Sequence, residues 1–223
     1  MAGGTAGLFG PSSRGQPRDL ASFERLLREE GYVYVAGVDE AGRGALAGPV
    51  VAAAVILPAD YALGRLDDSK KLDAATRAEL FDEITAAAVS WAVGVASHRY
   101  IDRVNILNAA LAAMARACGR LRPFPDVVLV DGTHPFPTPV KQHLVKGGDA
   151  RCACVAAASI VAKVHRDRLM RLLDARYPGY GFAVHKGYGT ATHLEAIAAL
   201  GPTPVHRRSF RPFAGGETPL FDE

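Results

Sequence analysis

The sequence has little of what marks a disulfide-stapled, membrane-spanning or strongly charged protein. Its three cysteines in 223 residues form an odd, sparse set that does not suit a disulfide framework. Its net charge of +3 permits a nucleic-acid partner without requiring one. The most apolar run, residues 47–59, contains Pro49 and Pro58 and is too short to cross a bilayer. Residues 1–17 have neither the basic start nor the apolar core of a signal peptide. We therefore expect a cytoplasmic protein.

What remains is an ordinary globular composition, with 49% hydrophobic and 22% charged residues. The length suits one large domain. Residues 1–18 are rich in Gly, Ser and Pro and predict a flexible N-terminal arm. We expect one catalytic domain over residues 19–212, including a small C-terminal helical part, and a flexible tail over 213–223. No apolar face suggests self-association, so a monomer is expected.

Hydrophobic periodicity predicts strands interleaved with helices. The strands are expected at residues 32–38, 49–57, 91–97, 127–130 and 140–145. The helices are expected to begin at Ser22, after Asp73, at Ile101, at Cys154, and at Thr190 or Thr192. The third of these runs unbroken over 101–118 and the fourth over 154–177. This order indicates an α/β fold, a mixed sheet with helices on both faces.

Acidic residues stand where predicted strands end. Asp39 and Glu40 close the first strand, Asp131 closes the fourth, and Asp149 precedes the long helix. In open α/β sheets, sites form outside strand ends. Clustered carboxylates repel one another unless a divalent cation such as Mg²⁺ binds between them. For any one of these acids, a turn or a helix cap is an equally good explanation.

A glycine-rich turn follows the first acidic pair. Gly42 and Gly44 would let the backbone approach a ligand closely, and Arg43 between them carries a planar cation suited to phosphate. A dinucleotide-binding fingerprint would open a helix, but here the glycines lead into Pro49 and a strand. The pattern therefore argues against a dinucleotide site.

The motifs around these residues resemble the signature of type 2 ribonuclease H, the bacterial ribonuclease HII family. The resemblance begins with residues 38–44 (VDEAGRG) and 47–50 (AGPV). Further segments agree in order: 68–72 (DSKKL), 130–132 (VDG), 148–149 (GD), 156–164 (AAASIVAKV) and 185–190 (HKGYGT). It covers roughly residues 32–210, most of the chain.

The resemblance implies a ribonuclease H-like fold with a five-stranded mixed sheet flanked by helices. It implies an endonuclease that hydrolyses the RNA strand of RNA–DNA hybrids and cuts 5′ of ribonucleotides embedded in duplex DNA. Two divalent ions, Mn²⁺ or Mg²⁺, would catalyse this cleavage and leave 3′-hydroxyl and 5′-phosphate ends. Its rivals are another nuclease of the same fold, such as a junction resolvase, a catalytically silent hybrid-binding module, and a metal-storage protein.

Carried over by motif, the family's catalytic and metal-binding carboxylates fall on Asp39, Glu40, Asp131 and Asp149. Asp167 competes for the fourth place, but its arginine neighbours and its position inside a helix favour a structural ion pair. The family's substrate contacts fall on Gly42, Arg43, Gly44 and Tyr188, and Lys70 is a further candidate for substrate binding. The glycine-rich backbone would read the ribose 2′-hydroxyl, and Tyr188 would pack on the following deoxyribose.

Several basic residues, Lys70 among them, are candidates for contacts with the phosphate backbone. They are Lys70, Lys71, Lys163, Lys186, Arg207, Arg208 and Arg211. Each is also explained as a solvated charge, and Lys163 as the partner of an acid. Cys152 and Cys154 are not accompanied by the second cysteine pair or the histidines that a zinc site needs. We therefore predict that they are buried thiols. Residues 217–221 (ETPLF) faintly resemble a peptide that docks on a replication sliding clamp.

Overall fold

A five-stranded mixed sheet lies at the centre of the protein, as the sequence predicts. The computed structural model describes residues 20–61 and 73–214. The strands are β1 (Val35–Ala41), β2 (Val50–Ile56), β3 (Ser90–Ala96), β4 (Val127–Asp131) and β5 (Lys141–Val145). Their order in the sheet is β3-β2-β1-β4-β5. The β1, β2 and β3 strands pair antiparallel, whereas β4 and β5 run parallel to β1.

Seven α-helices flank or extend this sheet in the part of the chain that the structure describes. They are α1 (Ser22–Glu29), α2 (Ala74–Ala87), α3 (His98–Val104), α4 (Ile106–Gly119), α5 (Ala153–Arg176), α6 (Phe182–His185) and α7 (Ala191–Leu200). None of them is long and apolar enough to cross a membrane. The α6 and α7 helices form the C-terminal helical part.

The prediction of one unbroken helix over residues 101–118 is wrong. The segment forms two helices, α3 and α4, separated at Asn105, whose φ of 69° is left-handed. Asparagine tolerates this conformation better than most residues. Its side chain also accepts a hydrogen bond from the Asn108 amide at 3.0 Å, which caps α4. The sequence pattern conceals such a break because the apolar residues Ile101 and Val104 of α3 lead directly into the apolar, alanine-rich segment of α4.

Other helix boundaries follow their predicted caps more closely. Asp73 caps α2 by accepting from Thr76 N at 2.8 Å, and Thr190 caps α7 through His193 N. Ser22 does not cap α1, because the preceding Ala21 occupies the N-cap position with no side-chain bond. Instead α1 supplies a cap to α5, since the buried Glu24 accepts a hydrogen bond from Cys154 N at 2.8 Å.

The central strands of the sheet are buried on both faces, and two glycines allow the helices to approach it closely. A Cβ added at Gly37 on β1 would lie 2.1 Å from the backbone carbon of Cys154 on α5. A Cβ at Gly94 on β3 would lie 2.0 Å from the backbone oxygen of Ala113 on α4. Helix backbone therefore rests directly on strand backbone at both places. This contact fixes the start of α5 against β1, where the acids lie.

Candidate active site

The two central acids lie side by side at one end of the sheet. Val38 of β1 pairs with Val130 of the parallel strand β4, so the next residues, Asp39 and Asp131, are neighbours. Val130 precedes the last residue of β4, and β1 continues through Glu40 to Ala41. The first strand therefore carries both acids within the sheet, Asp39 two residues and Glu40 one residue before its end. Asp39 is buried, with only 6% of its surface exposed.

Hydrogen bonds hold Asp39 and Asp131 in place. The Asp39 carboxylate accepts from Glu40 N at 2.7 Å and from the Ser159 hydroxyl on α5. The Asp131 carboxylate accepts from Gly148 N at 2.7 Å. Gly148 opens the short 3₁₀ turn Gly148–Ala150, which contains the buried Asp149. The turn that carries the fourth predicted acid is thus tied directly to the third.

The acids repel one another strongly. Burial, then the charges of Glu40 and Asp131, raise the pKa of Asp39 well above its usual value. Burial also raises the pKa of Glu40, although the Arg43 guanidinium acts in the opposite direction. Arg43 Nη1 lies 3.0 Å from Glu40 Oε1. One arginine at the rim therefore offsets only part of the charge of three converging carboxylates.

This donor set suits a hard divalent cation. Carboxylate oxygens are the ligands that Mg²⁺ and Mn²⁺ prefer, and a cation would offset both the burial and the repulsion that raise the pKa of Asp39. Among the described residues, no group of three or more His, Cys, Asp or Glu side chains is arranged so that it could already hold a metal ion. Mg²⁺ commonly keeps several waters and is bound through only one or two protein carboxylates.

A cleft of about 460 Å³ opens beside these carboxylates and brings most of the predicted site together. Its walls are formed by Asp39, Glu40, Ala41, Gly42, Arg43, Gly44, Arg77, Asp131, Ser159, Lys163 and Tyr188. The glycine-rich turn and Tyr188, which lie far apart in the chain, face the same space as the acids. Asp149 is not among the residues that line this cleft; it is buried in the turn bound to Asp131. Lys70 and Lys71 lie outside the described residues.

Sequence reasoning missed two residues of the cleft, Arg77 and Ser159. Ser159 had a sequence signal, because it is a polar residue within an otherwise apolar stretch at the start of α5. Arg77 had a weaker one, a cation in the first turn of α2, where the helix dipole disfavours positive charge. Only the packing of α2 against α5 brings Arg77 to the cleft.

The basic candidates separate into different roles. Lys163 Nζ lies 2.7 Å from Asp167 Oδ1, so the pairing with an acid that the sequence left open is present. Lys186 donates to the Ala183 carbonyl. The suggestion that Arg207 contacts phosphate is wrong, because its side chain is completely buried and donates to backbone carbonyls. Arg208 is exposed and remains a candidate.

The cysteines are buried, unpaired thiols, as predicted. Cys118, Cys152 and Cys154 are all free and buried. Burial raises the pKa of each thiol. None of the three is therefore suited to nucleophilic chemistry.

Comparison with known proteins identifies the family that this geometry belongs to. A family model described as Ribonuclease HII matches residues 36–212. The curated Ribonuclease HII of Geobacter sulfurreducens is 58% identical over 189 residues, which cover 85% of this chain and 87% of that protein. The chain belongs to the ribonuclease HII family. As a member of the ribonuclease HII family, it is a hydrolytic nuclease.

Solved structures place this ribonuclease HII family member in the expected fold. The RNase HII of a PCNA:RNase HII complex from Archaeoglobus fulgidus superposes with a TM-score of 0.68 at 28% identity, covering 78% of this chain and 94% of that one. A Bst-RNase HIII in complex with Mn²⁺ gives a TM-score of 0.69 at 20% identity, covering 93% and 77%. The predicted ribonuclease H-like fold is confirmed.

Proposed function

We propose that the protein hydrolyses the RNA strand of RNA–DNA hybrids and cuts on the 5′ side of ribonucleotides embedded in duplex DNA. Cleavage would leave 3′-hydroxyl and 5′-phosphate ends. The observation that carries this proposal is the composition of the cleft, where the acids share one space with the glycine-rich turn and Tyr188. An acid cluster alone would serve many nucleases. Its juxtaposition with an open glycine backbone and an aromatic ring favours a substrate that contains both ribose and deoxyribose.

The carboxylates would hold divalent cations, Mn²⁺ or Mg²⁺. Asp39, Glu40 and Asp131 supply oxygens from the sheet, and Asp149 supplies one from the adjoining turn. When bound, such cations provide a nucleophilic water at neutral pH and neutralise charge on the scissile phosphate. The protein's own contribution is rigidity, because Ser159 and Gly148 fix Asp39 and Asp131 by hydrogen bonds. The Bst-RNase HIII that binds Mn²⁺ has the same fold, which supports this choice of ions.

Distinguishing RNA from DNA requires recognition of the 2′-hydroxyl. Gly44 is exposed, and a Cβ placed there would meet no atom within 4 Å, so a ribose can approach the backbone closely. Tyr188 is 37% exposed and lines the same cleft, so its ring can pack on the next sugar. Around them, Arg43, Arg77 and Lys163 supply positive charge for the flanking phosphates.

The proposed localisation, sliding-clamp contact and oligomeric state rest mainly on the sequence. We place the protein in the cytoplasm, which three unpaired cysteines favour. A contact with a sliding clamp through residues 217–221 stays a proposal, supported by the PCNA:RNase HII complex from Archaeoglobus fulgidus. Those residues, the remainder of the predicted tail beyond 214, and the predicted N-terminal arm lie outside the described part of the chain. The monomeric state also stays a prediction.

Cleavage of a labelled DNA duplex carrying one ribonucleotide tests the proposal. We expect one cut, 5′ of the ribonucleotide, with Mn²⁺ or Mg²⁺ and none with EDTA. Asp39→Asn and Asp131→Asn should abolish cleavage while the proteins stay folded. Asp149→Asn and Asp167→Asn form a matched pair, of which only the first should lose activity, because Asp167 is paired with Lys163.

Other outcomes would point to the rival functions. Cutting of an all-DNA duplex would indicate a different nuclease of this fold. Tight binding of the ribonucleotide-containing duplex without cleavage, under both metals, would indicate a silent hybrid-binding module. Full activity of Asp39→Asn with metal present would remove the carboxylate site from the mechanism altogether.

A further inference from the structure

Two arginine side chains are completely buried beside the glycine-rich turn. Arg166 on α5 and Arg207 near the C-terminus both have 0% of their surface exposed. Neither forms an ion pair within the described residues. Burial, then the charge of Arg166, lower the pKa of the Arg207 guanidinium to about 9, which leaves it protonated at neutral pH. Burying two cations near each other is unfavourable unless other groups stabilise them.

Backbone carbonyls of the turn replace the missing acids. Arg207 donates to the carbonyl oxygens of Gly42 at 2.7 Å, Arg43 at 2.8 Å and Gly48 at 3.0 Å. Arg166 donates to those of Pro49 at 3.0 Å and Ala47 at 3.3 Å. Five carbonyl groups between residues 42 and 49 are thus drawn toward the protein interior by two guanidinium groups. Hydrogen bonds from charged donors are stronger than those from neutral ones.

This arrangement decides which way the amide groups of the turn face. In a planar trans peptide, the N–H points opposite to the C=O of the same unit. Because the carbonyls of Gly42 and Arg43 point inward to Arg207, the N–H groups of Arg43 and Gly44 point away from it. Neither amide donates a hydrogen bond to another described residue. Both residues are exposed and line the cleft.

Arg166 connects the same turn to the tyrosine. Its guanidinium carbon lies 5.3 Å from the centre of the Tyr188 ring, a cation–π distance. Its buried Nη1 has no hydrogen-bond partner among the residues that the structure describes. A Cβ at Gly42 would lie 1.9 Å from Arg166 Nε, which shows how closely the arginine fits beneath the turn. The Arg166 side chain therefore sets the positions of both the glycine-rich turn and Tyr188.

We propose that Arg166 and Arg207 are positioning residues for sugar discrimination. They hold the carbonyls of residues 42–49 inward, so that the amides of Arg43 and Gly44 are presented to the ribose, with Tyr188 at a fixed distance. The inference rests on the proposed function. It assigns these two arginines a role distinct from phosphate contact, for which both are too deeply buried.

Steady-state kinetics with the full chain and Mn²⁺ tests this role. Cleavage of a duplex with one ribonucleotide gives kcat and KM, and inhibition by an otherwise identical all-DNA duplex gives Ki. In Arg207→Lys and in Arg166→Lys, a charge remains but the planar fork is lost. We expect KM to rise about tenfold, the effect of one lost charged hydrogen bond, while Ki changes less than about twofold. Arg168→Lys is the control, because Arg168 is exposed on the same helix and stacks on Phe81 at 4.2 Å.

Each alternative result has a defined meaning. An unchanged KM in both folded variants would overturn the inference. An equal rise of KM and Ki would also overturn it, because it would mean that the variant binds the phosphate backbone of both duplexes more weakly. A fall in kcat with KM unchanged would also overturn it, because the loss would then lie in the chemical step and not in recognition of the ribose. Failure of both variants to fold would assign the arginines to stability and overturn it likewise. If the native protein shows no preference for the ribonucleotide duplex, the proposed function fails first, before any variant is compared.

Discussion

At the scale of single residues, Asp39 suits a metal site but lowers the stability of the metal-free folded protein. Its carboxylate is buried, neighbours two other acids, and receives hydrogen bonds from Glu40 N and Ser159. The hydrogen bonds favour the charged form, but burial and the neighbouring charges outweigh them, since the pKa is raised. In the absence of metal, ionisation of Asp39 must therefore destabilise the folded state.

We predict that Asp39→Asn is more stable than the native chain in EDTA at pH 8, by about 1 kcal/mol. The folded pKa lies above the unfolded one, so the destabilisation is complete above the folded pKa. It vanishes as the pH falls to the unfolded value of about 3.9. The difference in melting temperature should accordingly shrink between pH 8 and pH 4. Mn²⁺ should reduce it at pH 8 by stabilising the native chain alone.

Asp126→Asn provides the control for that experiment. Asp126 precedes β4 at the opposite end from Asp131 and accepts hydrogen bonds from the Val33 and Tyr34 amides. Its replacement removes a charge but relieves no cluster, so no gain in stability is expected. A gain as large as that of Asp39→Asn would show that charge reduction in general, and not the acid cluster, is responsible.

At the scale of secondary-structure elements, the site depends on the contact between α5 and β1. The helix begins with its backbone against Gly37, two residues before Asp39, and its Ser159 reaches the carboxylate. Glu24 of α1 caps the same helix end through Cys154 N. The start of α5 is therefore held from two sides, and the 3₁₀ turn with Asp149 leads directly into it.

We predict that Gly37→Ala destabilises the protein by at least about 3 kcal/mol, the upper range of overpacking, or prevents folding. The added methyl group would lie 2.1–2.3 Å from backbone atoms of Cys154 and Val155, which cannot move without shifting the helix. Urea unfolding monitored by circular dichroism measures the loss. Gly119→Ala is the matched control, because a Cβ there meets nothing within 4 Å. It should be neutral or slightly stabilising, and equal losses in the two variants would contradict the argument.

Sequence patterns anticipated these elements well where the information is local. Each strand of the sheet falls within three residues of its predicted bounds, and Asp73 caps α2 as expected. The left-handed Asn105 was missed, because a single backbone reversal leaves the hydrophobic pattern almost unchanged. Arg207 was misassigned because its burial depends on a turn more than 150 residues earlier in the chain. The motifs predicted the acidic residues, whereas only the structure shows the hydrogen bonds that hold Asp39 and Asp131 in place.

At the scale of the whole molecule, charge is distributed to suit a polyanion that contains a reactive phosphate. The net charge is only +3, yet the cleft places Arg43, Arg77 and Lys163 around the acids. Lys163 shares its charge with Asp167, and Arg43 with Glu40. Arg77 reaches the cleft from α2, an element that carries none of the four predicted acids. This position at the edge of the carboxylate cluster suits a contact with a flanking phosphate.

We predict that Arg77→Gln weakens binding of an all-DNA and of a ribonucleotide-containing duplex by a similar factor. The plot of log K against log salt should lose about one unit of slope, the value for one phosphate contact. Fluorescence anisotropy between 50 and 200 mM salt, roughly the range in which such contacts weaken, measures this slope.

Arg122→Gln is the control for this measurement, because it makes the same charge change next to Ser90, at the opposite end of the sheet. It should leave the slope unaltered. Since Arg166 and Arg207 are buried, their lysine variants should also keep the native slope. A lower slope in those variants, or an unchanged slope in Arg77→Gln, would contradict the division between phosphate-binding and turn-positioning arginines.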